Sequence, residues 1–575
     1  MQKIYAFLFF LLIFFTFFLR FYKLTEFPPS LYQDETAIGY NAYLILEKGV
    51  DEYGKSFPVY FQSFGDYKLP VYIYTTAVFM KIFGYGEFAV RAPSALAGSL
   101  SVILLFILLR RLTKDNGLAF TASFLLAINP WHLQFSRAGF EVNLALFFAL
   151  LGTTFFIVGI EEKKYLLIPA ALSFALSLYS YNVTRLLIPL FIILLVALYW
   201  PKLRKISFAY LTFLNIFMLV LLLPFLQTLF MSSGVYSAKT NLISSTDILV
   251  KNVEMRSYLE SLPGWYTKLF YNNYIAIFLQ YIQNIANIIS GSFFFTQGTP
   301  HPNQGIGNVG TFYLFELPFF VLGIIIFFTK KIHSLRVFFW WLIVTVLTLA
   351  LSKDVPHATR GYFLVIPIIV FTAQGILFFF EYLKHMHIYP LLKNVLVGLT
   401  LLFAAYNIQF YFLSYYFRYP VVQADAWRTA EKQLSLYLRD THQKYNRVII
   451  ENGDGTGFFY TSLLFYSKYD PDEFLTTAKR GEGGLLTVVQ SFGNYEVRPI
   501  KWEKDILSPN TLLITNDPTK VNSSAIIKTV KNPLKHIVLS ENDTIVQAPL
   551  EETKFAVVET DKLDQKTRDK YLLSQ

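Results

Sequence analysis

Two adjacent acids, Asp34 and Glu35, stand just beyond the first apolar stretch of the chain, in LYQDETAIGYNAYLILEKG. Fixed carboxylates at a membrane surface suit proton abstraction from a hydroxyl. A second cluster, NPWHLQFSRAGFEVN, sets Arg137 four residues before Glu141, a spacing that shares one face if the segment is helical. A third, SKDVPHATRGYFLVIP, carries Asp354, His357 and Arg360 where the chain enters another apolar run. Ionisable groups at membrane depth are expensive, and several of them converging point to function. One carboxylate base with two guanidinium groups is what transfer from a lipid phosphate to a hydroxyl requires. The same residues also suit plainer duties: a helix N-cap for the acidic pair, an ion pair for Arg137 and Glu141, and a side chain reaching to headgroups for Arg360.

The elements that must hold these groups follow from composition. Of 575 residues, 54% are hydrophobic and 18% aromatic, and the mean hydropathy is +0.43. A chain this apolar is solvated by lipid, and we read a polytopic α-helical membrane protein. Apolar runs near 4–19, 92–109, 118–134, 142–160, 165–180, 184–200, 207–230, 312–329, 337–352, 361–380 and 394–413 make about eleven transmembrane helices at the length a bilayer demands. No small-residue cleavage site follows the first run, so it reads as a helix and not as a signal peptide.

The formal charge of +11 is gathered in short clusters between apolar runs, which orients the chain in the membrane and excludes nucleic-acid binding. Arg110-Arg111, Lys163-Lys164, Lys202 with Arg204-Lys205, Lys330-Lys331 and Lys384 with Lys393 mark cytoplasmic connections. The loops 23–91 and 231–311 then face outward, and all three clusters with them. Within 23–91, the segments 36–47 and 71–83 read as helices lying on the membrane surface, and 271–289 as a further one that serves as a lid or acceptor wall.

After Tyr415 the hydropathy falls to that of a soluble protein. VIIEN, LLTVV, TLLIT and TIVQA read as strands and Ala424–Thr441 as a helix. The domains are therefore 1–414, transmembrane, and 415–575, an extracytoplasmic soluble α/β domain. The chain has no cysteine, and its His residues lack ligand spacing, so no metal and no cofactor are expected. Glu451–Gly457 lacks the Lys-Ser/Thr of a nucleotide loop, and Asp470-Pro471-Asp472 reads as a turn. Three N-x-S/T triplets, at Asn182, Asn522 and Asn542, are assigned nothing.

Taken in order, the Asp34-Glu35 pair after the first span, Gly65…Leu69-Pro70…Tyr72, Phe83-Gly84…Glu87…Arg91-Ala92-Pro93-Ser94-Ala95-Leu96, Ser136-Arg137…Glu141 and His357…Arg360-Gly361-Tyr362 before Pro367 resemble one family. It is the family of membrane glycosyltransferases that includes the protein O-mannosyltransferases and the lipid A aminoarabinose transferase, with the C-type glycosyltransferase fold. The resemblance covers roughly residues 1–410 and leaves the soluble tail unexplained. It implies a polyprenyl-phosphate-linked sugar donor, inverting transfer at the outer face of the cell membrane to a protein, glycan or lipid hydroxyl, and the first acid of the pair as general base. Carried over residue by residue, it casts Asp34 as base, Glu35 as its orienting neighbour, and Arg137, Glu141, His357 and Arg360 as substrate-binding groups. Glu141 departs from the Asp common in relatives, and no WWD motif is present, since Trp340-Trp341 has no Asp after it.

The competing reading is a transporter or flippase of a lipid-linked or small polar substrate, which about eleven spans would also suit. Transporters place their sites near the midplane between paired broken helices, whereas here the ionisable groups sit at one mouth. A third reading, a membrane-anchored binding protein working through 415–575, finds no recognisable site there.

Overall fold

A computed structural model describes residues 2–64, 66–229, 242–243, 246–259, 263–387, 389–451, 458–481, 489–533, 537–539, 545–547 and 551–572. Gly65, the nucleotide-loop-like 452–457 and the Asn542 triplet lie outside them.

Each apolar run folds as a helix. These are Gln2–Phe21, Glu87–Thr113, Asn116–Ile128, Glu141–Glu161, Leu167–Leu178, Thr184–Leu203, Phe208–Leu229, Glu316–Thr329, Arg336–Leu349, Val365–His385 and Pro390–Leu413. Among the described residues five helical stretches are long and apolar enough to cross a membrane, or six if Glu316–Thr329 and His333–Leu349, bent by 118°, count as one span. Five further apolar helices are shorter. The run expected at 118–134 is split. Asn129 caps a new helix, its Oδ1 accepting the His132 N–H at 2.9 Å, and Pro130 occupies the first helical position, where its missing N–H costs nothing.

The chain divides into two compact units, Met1–Tyr22 with Ser94–Phe412 and Lys23–Pro93 with Leu413–Gln575. In the first, backbones come into direct contact where side chains are absent. A Cβ at Gly323 would collide with the Phe371 carbonyl, and one at Gly375 with the Phe319 carbonyl, so Glu316–Thr329 and Val365–His385 pack glycine to backbone. Small residues serve this purpose in membranes, where lipid removes the hydrophobic drive between helices. Three helix ends are tied by charge: Arg111 meets Glu161 at 3.2 Å and Glu162 at 2.5 Å, and Lys202 meets Glu161 at 2.7 Å. Three of the basic connections expected in the cytoplasm thus end on, or directly beside, one electrostatic cluster.

Helix Asn273–Ile289 follows its pattern. Tyr274, Phe278, Leu279 and Ile282 are exposed, while Asn284 is buried and donates to the carbonyls of Ala350 and Ser352, both at 2.9 Å. An apolar face open to the surroundings with a polar anchor beneath is what a helix lying in an interface presents.

The second unit is built on a seven-stranded mixed sheet. In spatial order its strands are Lys479–Arg480, Val489–Phe492, Tyr495–Val497, Arg447–Ile450, Thr511–Thr515, Glu551–Glu559 and Ile526–Pro533. Arg447–Ile450 runs parallel to both its neighbours, and the other pairings are antiparallel. Alternation divides the side chains between two cores. Val448, Ile450, Leu512 and Ile514 join one, and Ile449 and Leu513 join the other with Trp502 and Leu563. VIIEN, TLLIT and the helix, here Thr429–Thr441, fall where the sequence put them, and Ile545–Gln547 forms a separate pair with Ile537–Leu539.

The first core also takes in Ala37, Tyr40 and Leu44 of helix Gln33–Lys48. Ile38, Tyr40 and Leu44 are 0–1% exposed, and a Cβ at Gly39 would press on the Phe465 ring. The surface-lying reading of 36–47 is therefore corrected: its apolar face is spent on protein and not on lipid. Helix Pro70–Phe83 buries Tyr72, Ile73, Ala77 and Met80 and leaves Val78, Ile82 and Phe83 exposed.

Candidate functional site

The acidic pair opens helix Gln33–Lys48, with Tyr32 as N-cap. At the third helical position Glu35 turns back, its Oε2 accepting the Tyr32 N–H at 3.2 Å. The same carboxylate is wholly buried and takes Arg91 in a forked pair, Nε to Oε1 at 3.0 Å and Nη2 to Oε2 at 3.2 Å. Arg91 spends its remaining donors on the carbonyls of Leu24 at 3.0 Å, Pro28 at 2.7 Å and Ser30 at 2.5 Å, so all five N–H groups of the guanidinium are used. Trp427 lies 5.6 Å from this guanidinium and packs edge-on against Tyr32. Glu35 thus ties residues 24–30 and the helix start to one buried cation, and the backbone carrying Asp34 is fixed by it.

Asp34 points elsewhere. Its side chain is 31% exposed, and its Oδ1 lies 2.6 Å from the Nζ of Lys68, which is itself 4% exposed. Lys68 ends strand Asp66–Lys68, held in a hairpin with Phe61–Ser63, and its ammonium sits 5.0 Å from the Phe64 ring. Neither Lys68 nor Arg91 was singled out for chemistry from the sequence. The signal was present in both cases, as a lone cation in an aromatic bridge just before Leu69-Pro70 and an Arg at the mouth of a span.

The other four candidates belong to the first unit. Arg137 is 1% exposed and donates to the carbonyls of Leu19 at 2.6 Å and Tyr22 at 2.7 Å, which satisfies carbonyls at the end of helix Gln2–Phe21. The helical Arg137–Glu141 face does not form. Helix Pro130–Arg137 stops at extended Ala138, and Glu141 begins the next helix, where its charge suits the dipole. Tyr362 joins this segment to the third cluster: its hydroxyl donates to Asn143 Oδ1 at 2.8 Å, and its ring stacks on Phe135 at 4.6 Å. His132 accepts from Arg20, Nη2 to Nδ1 at 2.7 Å, in the same buried layer.

Arg360 is 12% exposed and lies 3.5 Å from Asp354, which is 62% exposed. His357 caps the short helix Ala358–Gly361 and packs at a tilt against His301, with 4.7 Å between ring centroids. Burial, with Arg360 and His301 beside it, pushes His357 down to about 3, and burial also lowers His301. Both shifts disfavour the charged imidazole, which leaves Arg360 as the fixed cation among Asp354, His357 and Arg360. Among the described residues no three His, Asp or Glu side chains gather as metal ligands. Asp470 acts as the N-cap of helix Pro471–Thr477, accepting the Glu473 N–H at 2.8 Å, so Asp470-Pro471-Asp472 opens a helix where the sequence reading expected a turn.

Residues 68–227 match the sequence pattern of the family described as dolichyl-phosphate-mannose-protein mannosyltransferase. The chain resembles that family. The matched stretch contains Lys68, Arg91, Arg137 and Glu141. No curated protein matches the chain in sequence. Among solved structures, ArnT from Cupriavidus metallidurans bound to undecaprenyl phosphate aligns over 96% of this chain and 97% of its own, with a TM-score of 0.50 and 11% identity. That likeness is one of fold, the C-type glycosyltransferase fold. The oligosaccharyltransferase AglB from Archaeoglobus fulgidus, in complex with an inhibitory peptide and a dolichol-phosphate, aligns at 13% identity and a TM-score of 0.49 over 81% of this chain. This chain spans 64% of that longer protein.

Proposed function

We propose that the protein transfers a sugar from a polyprenyl-phosphate donor to an acceptor hydroxyl at the outer face of the cell membrane, with inversion and with Asp34 as general base. The observation that carries the reading is the Asp34–Lys68 pair on a helix start clamped by Glu35 and Arg91. A carboxylate able to take a proton is held rigidly beside a cation, and transfer from a phosphate needs both charges. The family pattern over 68–227 and the shared fold support it, as does ArnT having been solved with undecaprenyl phosphate.

In this reading Arg360 offsets the charge of the leaving phosphate, Lys68 steadies Asp34, Glu35 orients, and Arg137 acts by fixing the end of the first helix. Glu141 and His357 remain assigned to the donor's surroundings. About eleven spans cross the bilayer, the lysine and arginine clusters stay in the cytoplasm, and 415–575 lies outside. The transporter reading is disfavoured because the described ionisable groups of the third cluster sit at a helix mouth and not along a span.

Binding of undecaprenyl-phosphate hexose to purified protein tests the charge assignment. Arg360→Ala should weaken it about tenfold to a hundredfold, the loss of about 1.5–3 kcal/mol expected for a hydrogen bond to a charged group. Unchanged affinity removes that residue from the donor site. For sidedness, Thr519 is exposed in a chain without cysteine. Thr519→Cys should react with an impermeant maleimide in intact cells, and labelling only after lysis would place the domain inside.

A further inference from the structure

An open cavity of about 450 Å³ lies in the first unit where helix Asn273–Ile289 ends. Asn287, Ser290, Ser292, Gln297 and Thr299 line it together with Phe293 and Gly298. Pro300 and Pro356 complete it, and each is followed directly in sequence by one ring of the tilted His301–His357 pair. Arg360 lies one helical turn beyond His357. The cavity wall and the cation assigned above to the donor phosphate are thus near neighbours in the sequence.

Its chemistry narrows the occupant. A prenyl chain gains from an apolar groove, and a wall of two amides and three hydroxyls would strand those groups against it. An anion would be met by a cation, and none lines the cavity among the described residues. Amides and hydroxyls offer donors and acceptors together, which matches a ring bearing several hydroxyl groups. The volume falls in the range of about 300–1,000 Å³ that small-molecule sites occupy. Ser290 Oγ already donates to the Asn287 carbonyl at 2.7 Å and lies 3.4 Å from Ser292 Oγ, so the hydroxyls are held in place around the opening.

We propose that this cavity binds a carbohydrate ring, that of the lipid-linked donor, with Asn287 and Gln297 as its principal hydrogen-bonding side chains. The assignment rests on the transferase reading and adds to it the place where the sugar is held. It also gives the 271–289 helix a role in the wall of the site, through its final turn and not through its exposed apolar face.

Calorimetric binding of three probes to detergent-solubilised protein tests it: undecaprenyl phosphate, undecaprenyl-phosphate hexose and a methyl hexoside. Asn287→Leu and Gln297→Leu should each lower affinity for the hexose-bearing lipid about tenfold and leave undecaprenyl phosphate unchanged, since one hydrogen bond contributes about that factor. Loss of methyl hexoside binding with donor binding intact would keep the carbohydrate site and assign its ring to the acceptor. Parent-like binding of all three probes by both variants, or an equal loss of both lipids, would overturn the site. If the parent itself bound neither lipid, the transferase reading would fail first, a result distinct from a parent that binds and variants that follow it. Gln297→Asn, which keeps the amide, should retain more affinity than Gln297→Leu.

Discussion

Asp34→Asn is expected to lower sugar-transfer turnover by about 10²–10⁴-fold, while donor binding stays near that of the parent. A hydroxyl is a poor nucleophile at neutral pH, and a positioned carboxylate supplies a factor of that size by taking its proton in the transition state. Asparagine keeps the shape and leaves an amide oxygen for the Lys68 ammonium, now 2.6 Å from Asp34. The side chain is partly exposed and is not the group that holds the helix start, so the substitution removes basicity and little else. Single-turnover rates with a saturating donor measure it. A variant retaining more than a tenth of the parent rate would show that another group accepts the proton.

Glu35→Gln has a different and larger structural effect. On sequence alone it should be milder than Asp34→Asn, since Glu35 then only orients its neighbour. The buried Arg91 changes that expectation. With Glu35 and Arg91 both fully buried and paired at 3.0 Å, removing the negative charge leaves a guanidinium uncompensated. Breaking a buried pair from one side costs about 3–5 kcal/mol. The loss falls on the segment joining Leu24, Pro28 and Ser30 to the helix start, because their carbonyls share the same guanidinium. Thermal unfolding in detergent should show a clear drop in midpoint for Glu35→Gln and almost none for Asp34→Asn. Equal midpoints for Glu35→Gln and the parent would mean that the pair contributes nothing net. Activity then falls for two reasons that the two measurements separate, lost basicity in one variant and lost order in the other.

The contrast shows what a linear sequence conveys. The apolar helices were legible because lipid demands long apolar runs, and the strands Arg447–Ile450 and Thr511–Thr515 because short apolar runs between turns read as buried strands. Asp34 and Glu35 were legible as a pair, but not their separate partners. Arg91 lies 56 residues from Glu35 and Lys68 lies 34 from Asp34, and nothing local couples them. Helix Gln33–Lys48 was misplaced for a related reason. An apolar stripe has the same spacing whether lipid or the Phe465 and Phe474 rings cover it, and those rings lie more than four hundred residues away in the chain. The break at Asn129-Pro130 was readable from its capping residue and proline, yet the surrounding hydropathy overrode it.

The division of labour among the arginines follows from burial. Arg137 has the right charge for a phosphate, but the two donations described here go to backbone carbonyls at the end of the first helix, and it is almost wholly buried. Arg360, more open and paired with an exposed Asp354, is better suited to exchange that partner for a phosphate. Burial disfavours charge on His301 and His357, which leaves Arg360 as the fixed cation beside Asp354.

Transfer itself is the most direct test. Purified protein in proteoliposomes, supplied with a panel of undecaprenyl-phosphate pentoses and hexoses and an envelope extract as acceptor, should release undecaprenyl phosphate and place the sugar on acceptor with inverted anomeric configuration. Intact donor carried from one leaflet to the other, with no undecaprenyl phosphate released from any member of the panel, would contradict the account and establish the flippase in its place.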